Sequence, residues 1–145
     1  TIVKDYILKH PDVVLQSLQV ASADTQKAQT GRLDDVPNGL YDYPLTPFAG
    51  PKDAKLVVVE FFDYNCGFCK RVAVDLMKVI GEVPDVKFML KELPILSAES
   101  ETAARYALAA NKQGKYMEFH TAIMGHPGSV TREVLEQKAQ EVGLD

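Results

Sequence analysis

Residues 56–69 read Leu56-Val57-Val58-Val59-Glu60-Phe61-Phe62-Asp63-Tyr64-Asn65-Cys66-Gly67-Phe68-Cys69, a continuous apolar run that ends in a Cys-x-x-Cys. The run lacks alternation, which predicts a strand buried on both faces of a sheet. From Cys66 the period changes: Val72, Leu76, Val79 and Ile80 share one helical face as far as Gly81. Pro84-Asp85 makes a turn, and Val86 to Leu93 alternates as a second strand. Strand, helix and strand within about forty residues predict a right-handed βαβ unit with parallel strands. The two cysteines, the only ones in 145 residues, thus fall where a strand hands over to a helix.

That position has chemical consequences. Unpaired backbone N–H groups and the helix dipole favour an anion at a helix N-terminus, so Cys66 is expected to be the thiolate. Lowering a thiol pKa from about 8.5 to about 5.5 corresponds to roughly 4 kcal/mol of thiolate stabilisation. Three-residue spacing places both sulfurs on one face, in reach of a disulfide, and Cys69, one turn in, is expected to be covered and to act second. Gly67 permits close approach of a partner chain. Phe68, an aromatic between the cysteines, is expected to meet apolar segments of unfolded proteins.

Other readings of the pair are weaker. Strand-end, helix-start placement suits inert core cysteines poorly. Structural zinc needs four ligands, and the chain has no second Cys-x-x-Cys, with His10, His120 and His126 scattered. Copper(I) held by two thiolates stays open as a side activity or as the function of a non-enzymatic binding or scaffold module. Glu60 is read as a carboxyl buried in the sheet, with a raised pKa and able to shuttle the proton of Cys69; the alternative is a solvated edge carboxylate.

The rest of the chain is organised around this unit. Residues 1–30 form a helical arm. One helix is expected to stop near Lys9, because His10 precedes a proline, and a second to start at Pro11-Asp12. Residues 31–55, with Pro37-Asn38-Gly39, Pro44, Pro47 and Gly50-Pro51, read as linker and turns, with a short strand near Leu40 to Tyr43. Tyr41, Tyr43 and Phe48 are expected to pack this linker down. Residues 56–94 hold the strand–helix–strand unit and 95–145 are helical. There, helices are capped at Ser97 or Ser100 and at Thr131, and end before Gly114, His126 and Gly143. His120 and His126 read as surface or packing residues.

Composition limits the function classes. A net charge of −4, from 16 basic and 20 acidic residues, gives no electrostatic basis for a nucleic-acid surface. With 46% hydrophobic and 25% charged residues the chain has the balance of a globular protein, and no run of 18 apolar residues occurs.

The segment Glu60 to Lys70 resembles the DsbA-like branch of the thioredoxin superfamily. More narrowly, it is similar to bacterial envelope proteins of the suppressor-of-copper-sensitivity C type, whose N-terminal region the stretch Asp5 to Leu15 also resembles. The resemblance implies a thioredoxin-like α/β fold with a helical insertion, and thiol–disulfide exchange on secreted or periplasmic proteins. It implies Cys66 as nucleophile, Cys69 as resolving thiol, their disulfide as the redox centre with no other cofactor, and Glu60 at the place of a buried acid. Association through the arm favours disulfide isomerase or reductase work over a pure dithiol oxidase. Expected partners are unfolded or misoxidised secreted proteins, a membrane-linked thiol reductant or oxidant, and further copies of the chain. The expected location is the periplasm, with a signal peptide already removed. A complete fold of this kind returns with further strands and a cis-proline loop facing the cysteines. Thr46-Pro47-Phe48 precedes the motif strand and Pro94 fits a strand exit, so the chain is expected to be cut before its closing strands, leaving an unpaired sheet edge.

Overall fold

In the computed structural model the described residues are 2–34, 40–41 and 44–145, with backbone only over 25–34. Two units are formed, one ending at Leu40 and the other starting at Tyr41. In the first, α1 (Ile2–Lys9) and α2 (Pro11–Asp34) are separated at His10, as the proline requires. No residue of α1 is buried: Ile2, Val3 and Leu8 are all largely exposed. The strand expected near Leu40 to Tyr43 is not formed at Leu40 or Tyr41, and its remainder, with Tyr43, lies outside the described residues, as does Pro37-Asn38-Gly39.

The second unit is a thioredoxin-like α/β fold with a three-stranded mixed sheet in the order β1-β3-β2. The strand β2 (Leu56–Phe62) pairs in parallel with β3 (Val86–Glu92), connected by α3 (Gly67–Glu82), which is the βαβ unit expected from periodicity. The strand β1 (Phe48–Ala49) runs antiparallel to β3, with Phe48 opposite Met89. Thr46-Pro47-Phe48 therefore leads into a sheet strand, and no cis peptide bond occurs among the described residues. Gly50 ends β1 at φ +87°, and a Cβ there would stand 2.1 Å from the Val86 carbonyl oxygen, so only glycine fits.

The place of β2 departs from expectation. Among the described residues it is an edge strand, and β3 occupies the middle. Leu56, Val58 and Phe61 are exposed, while Phe62 is buried. An apolar run marks a strand; it does not say which of its faces the fold covers.

The core lies between the sheet and the helices α4 (Ala98–Lys112), α5 (Tyr116–Met124) and α6 (Arg132–Glu141). Ala103, Ala107 and Ala110 make one face of α4 flat, and Phe119, Ile123 and Leu135 share one buried cluster with them and with Phe62 and Leu90. Caps fall where polar residues precede the helices: the Ser97 hydroxyl accepts from Ser100 N–H and the Thr131 hydroxyl from Val134 N–H. No described helix is long and apolar enough to cross a membrane.

Candidate active site around Cys66 and Cys69

Cys66 is the N-cap of α3, with extended backbone at φ −82° and ψ 111°. Its sulfur does what an Asp or Ser oxygen does at other helix starts: it accepts the Cys69 backbone N–H at 3.3 Å. The Cys69 thiol also donates to it, and this bond, with the backbone bond from Cys69 second, lowers the Cys66 pKa. Cys69 moves the other way. Burial raises its pKa first, followed by the bond to Cys66 and by the charges of Cys66 and Glu60. The two thiols titrate as a pair, and the first proton to leave comes from the Cys66 side. Cys69 is half-buried against the core and Cys66 is half-buried at the surface.

The loop before Cys66 is fastened at both of its polar residues. Asp63, buried at 5% exposure, accepts Asn65 N–H at 2.8 Å on one oxygen and Ile95 and Leu96 N–H, both at 3.0 Å, on the other. Its carbonyl accepts Cys66 N–H at 3.0 Å. Asn65 accepts Val130 N–H at 2.7 Å and donates to the Ser100 hydroxyl at 3.3 Å. Lys70, one residue after the motif, donates to the carbonyls of His126 and Gly128. These three residues place the dithiol against the 95–100 turn and the 126–130 loop. Sequence reading assigned them no role. For Asp63 and Asn65 the signal was present as polar residues at a strand end, where a hydrophobic sheet needs side chains to satisfy the turning backbone.

Of the other residues singled out, Phe68 is 76% exposed, with the Arg71 guanidinium 4.3 Å from its ring centre. A Cβ at Gly67 would meet only Arg71 Nη1, at 4.0 Å, so nothing within the chain demands glycine there. Glu60 is half-buried, its Oε2 is fully covered without a hydrogen-bond partner among the described residues, and burial raises its pKa. Its charge bears on both Cys69 and Tyr116.

Behind the dithiol lies a polar cluster that periodicity did not reveal. Glu92 Oε1 accepts the Tyr116 hydroxyl at 2.7 Å and the Tyr64 hydroxyl at 3.1 Å, and Tyr64 Oη is 3.0 Å from His120 Nδ1. His120 is 1% exposed, and its Nε2 has no partner among the described residues. It is therefore a packing residue, and not a surface one. An unpartnered lone pair costs less than an unpartnered N–H, which puts the His120 proton on Nδ1, donating to Tyr64. Burial holds the His120 pKa down at about 4 and raises Glu92 to about 8, against the opposing bonds from Tyr116 and Tyr64. The described residues contain no group of three His, Cys, Asp or Glu side chains able to hold a metal ion.

Comparison with known proteins agrees with this geometry. A thioredoxin-like oxidoreductase from Silicibacter pomeroyi is 41% identical, with a TM-score of 0.72 over 76% of this chain and 64% of its own. The catalytic domain of Proteus mirabilis ScsC is 31% identical, with a TM-score of 0.70 over 73% of this chain and 61% of its own. A periplasmic thioredoxin-like protein from Salmonella enterica serovar Typhimurium is 32% identical, with a TM-score of 0.71 over 74% of this chain and 63% of its own. Curated relatives include sodium/proton antiporters of Salinispora, 26% identical over 98 residues, of which the chain spans 15% of the length. The DSBA-like thioredoxin domain profile matches residues 57–145, the segment that carries the dithiol, its anchors and the buried cluster, and the chain belongs to that family.

Proposed function

We propose that the protein is a thiol–disulfide oxidoreductase acting on secreted proteins in the bacterial periplasm. The observation that carries this reading is the Cys66 sulfur at the N-cap of α3, receiving both the backbone N–H and the thiol of Cys69. In the reductive direction the Cys66 thiolate attacks a client disulfide; that S–S bond breaks and one client thiolate leaves. Cys69 then gives its proton to Glu60 and its thiolate attacks Cys66 Sγ in the mixed disulfide. The second client thiolate leaves, the Cys66–Cys69 disulfide forms, and the client has gained two electrons. A membrane-linked thiol reductant resets the pair. In isomerisation a second client thiolate attacks the mixed disulfide first, and the pair stays reduced.

Isomerase or reductase work is favoured over dithiol oxidation because of the arm. The exposed apolar residues of α1 and α2, among them Ile2, Leu8, Leu15 and Leu18, suit association with further copies of the chain. Several dithiols facing one client hold it while its bonds reshuffle. Exposed Phe68 supplies an apolar contact beside the nucleophile. The periplasmic location is supported by the periplasmic Salmonella relative.

The test is turnover of a scrambled-disulfide substrate by the full-length protein, with two variants. Cys66→Ser abolishes exchange, and Cys69→Ser accumulates mixed disulfides at Cys66. Equal alkylation rates for the two thiols in the folded protein overturn these roles. Tight copper(I) binding without turnover supports a binding module instead. Deleting residues 1–30 lowers the oligomeric mass seen by light scattering; an unchanged mass rejects the arm as the association element.

A further inference from the structure

Glu60 and Glu92 are the two carboxyls on the helix-covered face of the β2–β3 pair. In the parallel register Glu60 lies opposite Leu90 and Phe62 opposite Glu92, and both Phe62 and Leu90 point into the core. Side chains alternate along strands, so the two glutamates share that face as diagonal neighbours, one step apart across the strands. Tyr116 connects them: its hydroxyl donates to Glu92 at 2.7 Å, and it feels the charge of Glu60 as well. Glu60 in turn bears on Cys69.

We propose that Glu92 is a positioning residue for thiol–disulfide exchange, forming with Glu60 a coupled carboxyl pair that carries one proton while Cys69 is a thiol. Glu92 keeps that proton and Glu60 stands ready as the carboxylate. When Cys69 attacks the mixed disulfide, its proton passes to Glu60 and its electron pair enters the new S–S bond. The pair then holds two protons and releases one to water. Neither carboxyl changes oxidation state. This rests on the relay at Glu60 proposed above and adds the group that tunes it.

The surroundings of Glu92 suit the assignment. Glu60 is its diagonal neighbour by register, and the charge of Asp63, just past the end of β2, bears on it; the following loop brings Tyr64, and α5 brings Tyr116 and His120. On that side two phenols and a neutral imidazole supply hydrogen bonds but no counter-charge, so nothing there offsets the repulsion of two adjacent carboxylates. Lys91, the preceding residue on β3, donates to the Thr46 hydroxyl at 2.8 Å. On its other side Glu92 lines a cleft of about 400 Å³, along with Thr46, Lys91, Asn111 and Lys112, which gives the proton an outlet to solvent. Burial raises both carboxyls, Glu92 to about 8, so the proton is retained near neutral pH.

The test is carbon NMR of glutamate side-chain carboxyls in the full-length protein with Cys66 and Cys69 oxidised, so that neither thiol titrates. Wild type shows two-step curves at both Glu60 and Glu92. In Glu60→Gln, which removes the neighbouring charge and leaves the Tyr64 and Tyr116 bonds to Glu92 in place, Glu92 titrates in one step with its midpoint lower by about one pH unit. An unchanged Glu92 curve overturns the proposal. Tyr116→Phe is the second variant: without the phenol bond to the carboxylate, the Glu92 midpoint rises, and an unmoved midpoint counts equally against the proposal. In parallel, the pH profile for release of thionitrobenzoate from its mixed disulfide with Cys66 reads the attack by Cys69. Its inflection near pH 8 disappears in Glu92→Gln. Unchanged release in Glu60→Gln rejects the relay itself, and with it the part of Glu92. Slowed release there, together with an unmoved Glu92 curve in the same variant, rejects only the coupling.

Discussion

Val130 donates its backbone N–H to Asn65 Oδ1 at 2.7 Å, tying the residue before the nucleophile to a loop 65 positions later in the chain. Val130 is fully buried, so this N–H has no access to water if the amide is removed. Asn65→Ala also removes the amide donor to the buried Ser100 hydroxyl, which keeps only its contact with Ser97 Oγ at 3.3 Å. The expected loss is about 1–3 kcal/mol of stability, the cost of leaving a buried donor unsatisfied, measured by urea denaturation. Asn65→Asp keeps the acceptor for Val130 and loses less.

Asp63 trades stability against reactivity. Its carboxylate holds three backbone N–H groups, and its charge opposes the Cys66 thiolate. Asp63→Asn removes the charge and turns one acceptor oxygen into a donor facing N–H groups. Stability falls by about 1.5–3 kcal/mol, the range for hydrogen bonds to charged groups. The Cys66 pKa falls as well, read from the ultraviolet absorbance of the thiolate. A Cys66 pKa that rises in this variant contradicts the electrostatic account.

The buried Glu92 and His120 give stability a defined pH profile. Glu92 titrates near 4.5 when unfolded and at about 8 when folded, so its contribution is full below 4.5 and is lost as pH rises through 8. His120 titrates near 6.5 when unfolded and at about 4 when folded, so its contribution is full above 6.5 and is lost as pH falls through 4. Between 4.5 and 6.5 both states bind one proton across this pair and stability is flat. From pH 6.5 to 8 only the folded state keeps a proton, and stability falls by about 2 kcal/mol. Denaturation midpoints at pH 6 and pH 8 measure the drop, and Glu92→Gln removes it.

Gly50 is the least replaceable residue of the β1 turn. Gly50→Ala meets the Val86 carbonyl oxygen and carries a left-handed φ of +87°. The backbone conformation alone costs about 1–2 kcal/mol, and the clash pushes β1 off β3. Hydrogen exchange at Leu90 N–H, which donates to the Pro47 carbonyl at 2.9 Å, accelerates in the variant. Unaltered protection there shows that β1 tolerates a side chain.

Local chemistry in the sequence was enough to place the strand, the Cys66 N-cap and the helix that follows. Each depends on neighbours within one turn: a period of 3.6 after Cys66, a helix dipole at its start, Ser97 and Thr131 before two later helices. The unequal thiols follow from the same short range, since one sulfur sits at the helix start and the other one turn inside. Tertiary structure decided the rest. Periodicity describes how apolar a face is, and for this reason β2 could be recognised as a strand but not as an edge. Likewise Asp63, Asn65 and Lys70 are ordinary polar residues until the loops at 95–96 and 126–130 arrive with unpaired backbone groups. Tyr64, Glu92 and the α5 pair Tyr116 and His120 come from three separate places in the chain, and their proton affinities are set by mutual burial, which no local window contains. The redox pair is thus a product of a few adjacent residues, whereas the groups that hold it in place and tune its proton transfer exist only after the chain has closed around them.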